Sequence, residues 1–401
     1  MPIYKVPAAR VSMPTMQHFT VRNHFLHRTA YLFLILFFAF GPKGTADPVI
    51  NEIFYHENHG TEPENPDTEW IELYNSSPAE INLAGWTLSQ GVAFSFPPGA
   101  VLPGNSYLVI AADPSTFNTI YPGVDTGENI FGPWVGRLRN SGETITLRDL
   151  DGDRVDRVRY ADEGDWAERR RGPLDNGHRG WMWVAAHDGE GASLELINPL
   201  LPNSKGQNWG SSLQVGGSPG AANSVIETNT APLITNVRHT PIIPRGGEPV
   251  TVSAELITTA TLGSTFLSWR VDGESDWITT EMTENPDGTL SSEIPGQADR
   301  TVVEFYLQAF AGATERTWPA PSQPDGNQEA NALLQFDDSY DPYAVWIPGS
   351  QPKYRIVMTE EERAELADIG DDSESPRNEE ESNAEMNCTF IVEDGTGLVL
   401  R

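Results

Sequence analysis

The residues whose types could support chemistry are few and scattered. The stretch "DLDGDRVD" places Asp149, Asp151 and Asp153 at alternate positions, with Gly152 among them and Asp156 beyond. Hard oxygen ligands at that spacing resemble the first half of a calcium loop. The twelfth position, where a bidentate acid would close the loop, is Tyr160. Asp and Gly are also turn formers, so a hairpin turn is the stronger expectation and the three acids are weak calcium candidates. His178, His187 and Asp188 fall in "GHRGWMWVAAHDGEG". A neighbouring His and Asp invite a zinc reading, but zinc sites need three or four converging ligands, and nothing in the spacing fixes the third. Turn polarity is the expectation there too.

Glu69 and Glu72 bracket Trp70 in "TEWIELYN". A glycosidase would need two carboxylates facing one another across a sugar. Three residues apart on a strand, these two point to opposite faces. The sequence therefore predicts a sandwich strand with Ile71 and Leu73 on one face and Trp70, Glu72 and Tyr74 on the other. Its acids are expected to be solvated and its aromatics packed, with Trp86 a core anchor. Trp181 and Trp183 share a strand face and are read either as core or, if exposed, as a platform for a sugar ring or peptide. Cys388, in "MNCTFIV", is expected to be a small core residue rather than a nucleophile. No phosphate-binding loop of P-loop type occurs, and no nucleophile elbow is expected. No catalytic and no cofactor-binding residue is assigned.

These residues sit in a strongly acidic chain. Formal charge is −31 over 401 residues. The first 46 residues carry five of the 26 Lys and Arg and none of the 57 acids. The rest is more acidic still and repels nucleic acid unless charge is sharply local. The densest arginine region, 137–179, holds ten arginines and ten acids and offers no net basic patch. Basic residues also precede "AYLFLILFFAF", an apolar run with the length of a signal-peptide core and too short to span a bilayer. Cleavage is expected between Ala46 and Asp47, with an uncleaved anchor as the alternative and Met13 or Met16 as possible starts. The expected location is secreted, cell-surface or periplasmic, with no stable membrane span after cleavage. The single cysteine rules out an intrachain disulfide, so stability must come from core burial or metal ions.

The elements that must position these residues are short strands. Gly 36 and Pro 31 together are one residue in six, which suits many strands joined by tight turns. "VINEIFY", "WIELYN", "GWTLS", "AFSFP", "SYLVIAA", "ETITLRD" and "ASLELI" predict a first β-sandwich over 47–223. Gly, Pro, Ser and Asn over 216–232 read as a linker, assigned to 224–232. A second set, from "PLITNVRHT" to "TVVEFYLQAFA", predicts an immunoglobulin-like or fibronectin-like sandwich over 233–320. Residues 321–350 read as a second linker. In 351–401, "KYRIVM" is a strand and "TEEERAELADIG" a helix. Thr359 is its expected N-cap, with Glu362 completing a capping box. An acid-rich exposed loop and a hairpin over "NCTFIVEDGTGLVLR" follow. The fold class expected is all-β, two immunoglobulin-like sandwiches in tandem plus a short α+β segment.

Over 49–223 the chain resembles the lamin tail domain, an immunoglobulin-like fold. The residues that carry this are "EWIELYN", "INLAGWTLS", "FSFPPGAVLPGNSYLVIAAD", "GRLRNSGETITLRDLDG" and the closing "NW…GGSPGAAN". Bacterial modules of this kind are secreted accessory domains, so the resemblance implies binding rather than catalysis. The last 50 residues, through "YRIVMTEEERAEL" and "NAEMNCTFIVEDGTGLVLR", resemble the entrance to the CotH spore-coat kinase family. That implies a longer parent whose ATP, metal and catalytic residues lie beyond Arg401. The strand at the C-terminus reads as the edge of a truncated domain. The expected partner is a protein or polysaccharide at the cell surface, with nucleic acid unlikely and no cofactor apart from the weak calcium candidates.

Overall fold

The computed structural model describes residues 47–58, 60, 63–320, 328–370, 382–395 and 397–400. The export segment, with Ala46, lies outside the described residues, as does 371–381 of the expected acidic loop. Asp47 is the first residue described.

Apolar residues at alternate positions build two facing sheets in the first sandwich. One has six strands in the spatial order Trp209–Val215, Ala192–Leu196, Val49–Phe54, Trp70–Asn75, Ser106–Ala111 and Ile130–Phe131, antiparallel except for the last pair. The other has five, in the order Arg154–Arg159, Thr144–Arg148, Thr87–Ser89, Val92–Ser95 and Val135–Gly136. Ile53, Ile71, Leu73, Ile110, Ile145 and Leu147 meet between the sheets without solvent contact, each worth about 1.5–3 kcal/mol of burial. Trp86 packs at the border of this core. Strand Arg154–Arg159, in which two valines sit among charges, was not foreseen, and neither was the pairing of Trp181–Val184 with Glu168–Arg171 in a hairpin.

The outer face of the six-stranded sheet is covered as well. Helix Pro114–Ile120 starts with proline in its first turn, and Asp113 Oδ1 accepts from Thr116 N–H at 2.7 Å, a cap that satisfies an orphan donor. Phe117 from this helix packs on Phe54 and Trp70, closing a second small core. Tyr121, just past its end, accepts from Trp70 Nε1–H at 3.3 Å and donates to Gly216 O at 2.9 Å.

The second sandwich pairs Leu233–Thr240, Val250–Ile257, Leu290–Ile294 and Thr283–Glu284 in one sheet. The other sheet runs Ile278–Glu281, Leu262–Val271, Val302–Ala311, Thr314–Trp318. Strand Ala332–Gln335, inside the stretch expected to be a linker, completes this sheet by pairing with the first half of Val302–Ala311. Leu333 and Leu334 are both buried, so Ala332–Gln335 is fixed by apolar burial. The C-terminal unit is a three-stranded sheet, Lys353–Val357, Thr389–Glu393 and Leu398–Leu400, with helix Glu360–Gly370. Its Val357 and Ile391 pack on Ile243 and Leu333 of the second sandwich. The fold is all-β: tandem immunoglobulin-like sandwiches with a small α+β unit.

Candidate functional site

The metal candidates have separate partners. Asp149 Oδ1 accepts from the N–H groups of Asp151 (3.0 Å) and Asp153 (2.8 Å), which closes the hairpin turn on itself. Asp156 points between the sheets, its Oδ2 accepting from Ile50 N–H and Asn203 Nδ2, both at 2.7 Å. His187 is buried, with Nδ1 facing the Tyr55 hydroxyl (2.7 Å) and Nε2 facing Trp166 O (2.9 Å). Nε2 therefore donates and Nδ1 accepts, and burial lowers the pKa, holding the ring neutral. Asp188 pairs with His56 at 2.6 Å, and His178 with Glu365 at 3.0 Å. Among the described residues no group of three or more His, Cys, Asp or Glu is placed to hold a metal ion. Cys388, expected in the core, is exposed: its neighbours Thr389 and Ile391 take the buried side of the strand.

The acids expected to be solvated are buried. Glu69 is 3% exposed, and its Oε2 accepts from Leu138 N–H at 2.7 Å. Glu72 is on the outer face as expected, yet has no solvent contact. It is one of three. Strand register sets Glu195, Glu52 and Glu72 side by side across Ala192–Leu196, Val49–Phe54 and Trp70–Asn75, all inaccessible to solvent. The segment 216–225, of linker-like composition and spanning the expected boundary between sandwich and linker, lies over them as a strap. Ser218 N–H donates to Glu52 (2.8 Å) and its hydroxyl to Glu195 (2.7 Å). Gly220 N–H donates to Glu72 (2.6 Å). The Ser224 hydroxyl (2.7 Å) and Val225 N–H (3.0 Å) donate to Glu195. Asn51 donates to Glu72 and to Asn223.

The strap's glycines follow from this close approach. Gly217 has φ +76°, and a Cβ there would lie 2.2 Å from Glu52 Oε1. Burial pushes the Glu52 carboxyl up to about 8 and Glu69 to about 8, and holds Glu72 well above its ordinary 4.5. The charge of Glu195 adds to the rise at Glu52, while the serine donors oppose it. "GGSPG" over 216–220 matches the nucleophile-elbow pattern in letters. Ser218 is spent on two carboxylates and lies in a strap, not between a strand and a helix. The row positions a segment.

A second constellation joins the units. In the unforeseen hairpin, Arg169 opposes Trp183 and Arg171 opposes Trp181, with guanidinium carbons 4.7 and 4.0 Å from the ring centroids. Trp181 is buried, its Nε1–H donating to Glu362 Oε1 at 2.7 Å and its N–H to Glu385 O at 2.7 Å. Of the two readings of Trp181, burial within the chain is the one observed. Arg169 reaches Asn387 Oδ1 at 2.6 Å. Thr359 caps the helix as expected, accepting from Glu362 N–H at 3.2 Å. The capping box is not formed, because the Glu362 carboxylate serves Trp181 and Asn387 N–H instead.

Between the sandwiches, the Gln207 side-chain amide donates to Ile234 O and accepts from Ile234 N–H, both at 2.8 Å. Arg316 donates to Pro232 O (2.9 Å) and Gln207 O (3.0 Å). Asp272 accepts from the helix N–H of Glu360 at 2.7 Å. Sequence reading missed these contacts because their partners lie tens to hundreds of positions apart.

Residues 42–162, within the first immunoglobulin-like sandwich and its approach, match the family model described as Lamin Tail Domain. The match ends before the Arg–Trp hairpin and the strap. No curated protein matches the chain. Among solved structures it is similar to the crystal structure of chicken CNTN1 FN1-FN3 domains, at 10% identity and a TM-score of 0.20, covering 72% of this chain and 99% of that one. No helix among the described residues is long and apolar enough to cross a membrane.

Proposed function

We propose that this chain is an exported, non-catalytic binding and spacing array of a cell-surface or secreted protein. It carries the C-terminal α+β unit in one orientation. The modules are a lamin-tail-type sandwich over 47–223, a tie over 224–232, a second sandwich from 233 that includes Ala332–Gln335, and the unit from 351 onward. The single observation that carries the reading is the junction of Gln207 with Ile234, where a side-chain amide takes the place of a neighbouring strand. Flexible tethering would leave those groups to water. The partner is a protein or polysaccharide at a surface, and no cofactor takes part.

Small-angle scattering tests the reading. The wild type should fit a single rigid particle, and Gln207→Ala combined with Arg316→Ala should need an ensemble of orientations. A wild-type profile that already needs such an ensemble refutes the spacer role. The strand–helix–hairpin order over 353–400 favours a second reading, the N-terminal part of an atypical secretory-pathway protein kinase with catalytic residues beyond Arg401. Phosphotransfer from labelled ATP by a longer gene product, and not by the 401-residue chain, is its test.

A further inference from the structure

The arginine-rich region has no net charge in sequence, yet folding separates its charges. Among the described residues, strand Arg154–Arg159 is an edge of the five-stranded sheet, its one strand partner Thr144–Arg148. Two abutting clefts of about 550 and 520 Å³ run along that edge, sharing Arg159 and Ser204. Arg154, Arg157 and Arg159 line them, all exposed and without an ion pair among the described residues. Lys205 stands in the second cleft. In a chain with 57 acids and 26 Lys and Arg, three neighbouring unpaired arginines run against the composition.

The acids of the same groove are already engaged. Asp156 is held by Ile50, Asn203 and the N–H of Arg157. Asp165 is held by Gln207 and lies beside Arg316. Glu163, at one end, is the remaining carboxylate of the lining.

We infer that this edge groove binds an extended acidic peptide segment of a partner protein, added as a strand beside Arg154–Arg159. The inference deepens the binding-module reading and rests on it. Arg157 N–H is taken up by the neighbouring Asp156 carboxylate and so points away from Thr144–Arg148; alternation turns the backbone of 159 the same way, which leaves the carbonyls of 157 and 159 and the N–H of 159 for an added strand. Arg157 and Arg159 are two residues apart and so project from one face about 6.6 Å apart. Alternate side chains of an added strand have that same spacing and would stand opposite them. Carboxylates there meet guanidinium forks. The same arginines turn away a basic or apolar strand, which protects an otherwise open edge. A polysaccharide would use the guanidinium groups but has no use for the backbone.

The test is fluorescence anisotropy with the full chain and a labelled ten-residue peptide alternating Glu with Val. Binding should weaken with salt and fall at least tenfold in Arg157→Glu/Arg159→Glu. It should be unchanged in Arg238→Glu, an exposed arginine of the second sandwich. A backbone N-methylated version of the peptide should bind at least tenfold more weakly, with melting curves confirming that the variants fold. No binding of the acidic peptide overturns the inference, as does retention in the double reversal. Equal binding of the N-methylated peptide, or of a sulfated polysaccharide, overturns it by showing a plain polyanion groove. Scattering from the wild type reads the spacer role separately, so either can fail alone.

Discussion

Glu52→Gln should flatten the alkaline loss of stability while leaving the protein nearly unchanged at pH 6. The Glu52 carboxyl is held at about 8 against an ordinary 4.5, so the folded state binds more protons than the unfolded one throughout that window. Its stabilising effect is complete below pH 4.5 and is lost as pH rises through 8. Between pH 6 and pH 9 the loss at this one group is about 3 kcal/mol. For 401 residues unfolding as one unit that corresponds to a fall in Tm of roughly 3–5 °C. Glutamine fits the same place. Its oxygen can take the Glu52 Oε1 position, accepting from Ser218 N–H and the Ser193 hydroxyl. Its amide can then donate to Ser218 Oγ, which lies 3.2 Å from Glu52 Oε2. Urea unfolding followed by tryptophan fluorescence at pH 6 and pH 9 measures the difference. Parallel pH profiles for wild type and variant, or wild-type stability rising from pH 6 to 9, would refute the buried-acid argument.

Gly217→Ala should cost several kcal/mol, because its Cβ collides with Glu52 and Ser193 at a φ of +76°; a melting temperature near wild type would show that the strap yields. Trp181→Phe keeps a ring under Arg171 but removes one donor from the buried Glu362 Oε1, which retains the Arg171 guanidinium at 3.4 Å, a cost of about 1 kcal/mol. Amide exchange over 360–370 should then accelerate while the second sandwich stays protected, and unchanged exchange would remove Trp181 from the interlock. Millimolar calcium should leave Tm within about 1 °C, since Asp149 is occupied by its own turn. A calcium-dependent rise abolished by Asp149→Asn would restore that site.

Much of the fold was legible because alternation states which way a strand residue points. In Trp70–Asn75, Ile71 and Leu73 face the core and Trp70, Glu72 and Tyr74 face away, as the sequence implies. Alternation does not state what lies on the far side. The cover over Glu72 is Gly220, 148 residues on, from a stretch whose Gly, Pro and Ser have the composition of a linker. Those residues serve the opposite purpose here, letting backbone N–H groups reach carboxylates that a side chain would fend off. Strand Arg154–Arg159 escaped for a related reason. Its edge position lets it carry charges on both sides of one buried valine, Val158, so no apolar alternation remains to be read. Glu362 reads on local rules as half of a capping box and Trp181 as either core or platform; which holds is decided by each claiming the other from 181 positions away.

Burying three carboxylates in a row is costly, and an apolar row of the same shape would be the more stable sheet face. What such a row could not do is accept hydrogen bonds from chosen points of a passing chain. Glu52, Glu72 and Glu195 together take donors from Ser218, Gly220, Ser224 and Val225. The strap can therefore sit in one register, because a shift of a single residue would leave buried acids without partners. From Val225 the chain reaches Glu227, whose N–H bonds to Ile197 O, and then Pro232 and Ile234 at the second sandwich. The direction in which the second sandwich begins is thus set on the outer face of the first, by acids that sequence patterning assigns to solvent. Stability spent there returns as fixed geometry between modules, and a spacing array requires that geometry more than it requires the last few kcal/mol of either core.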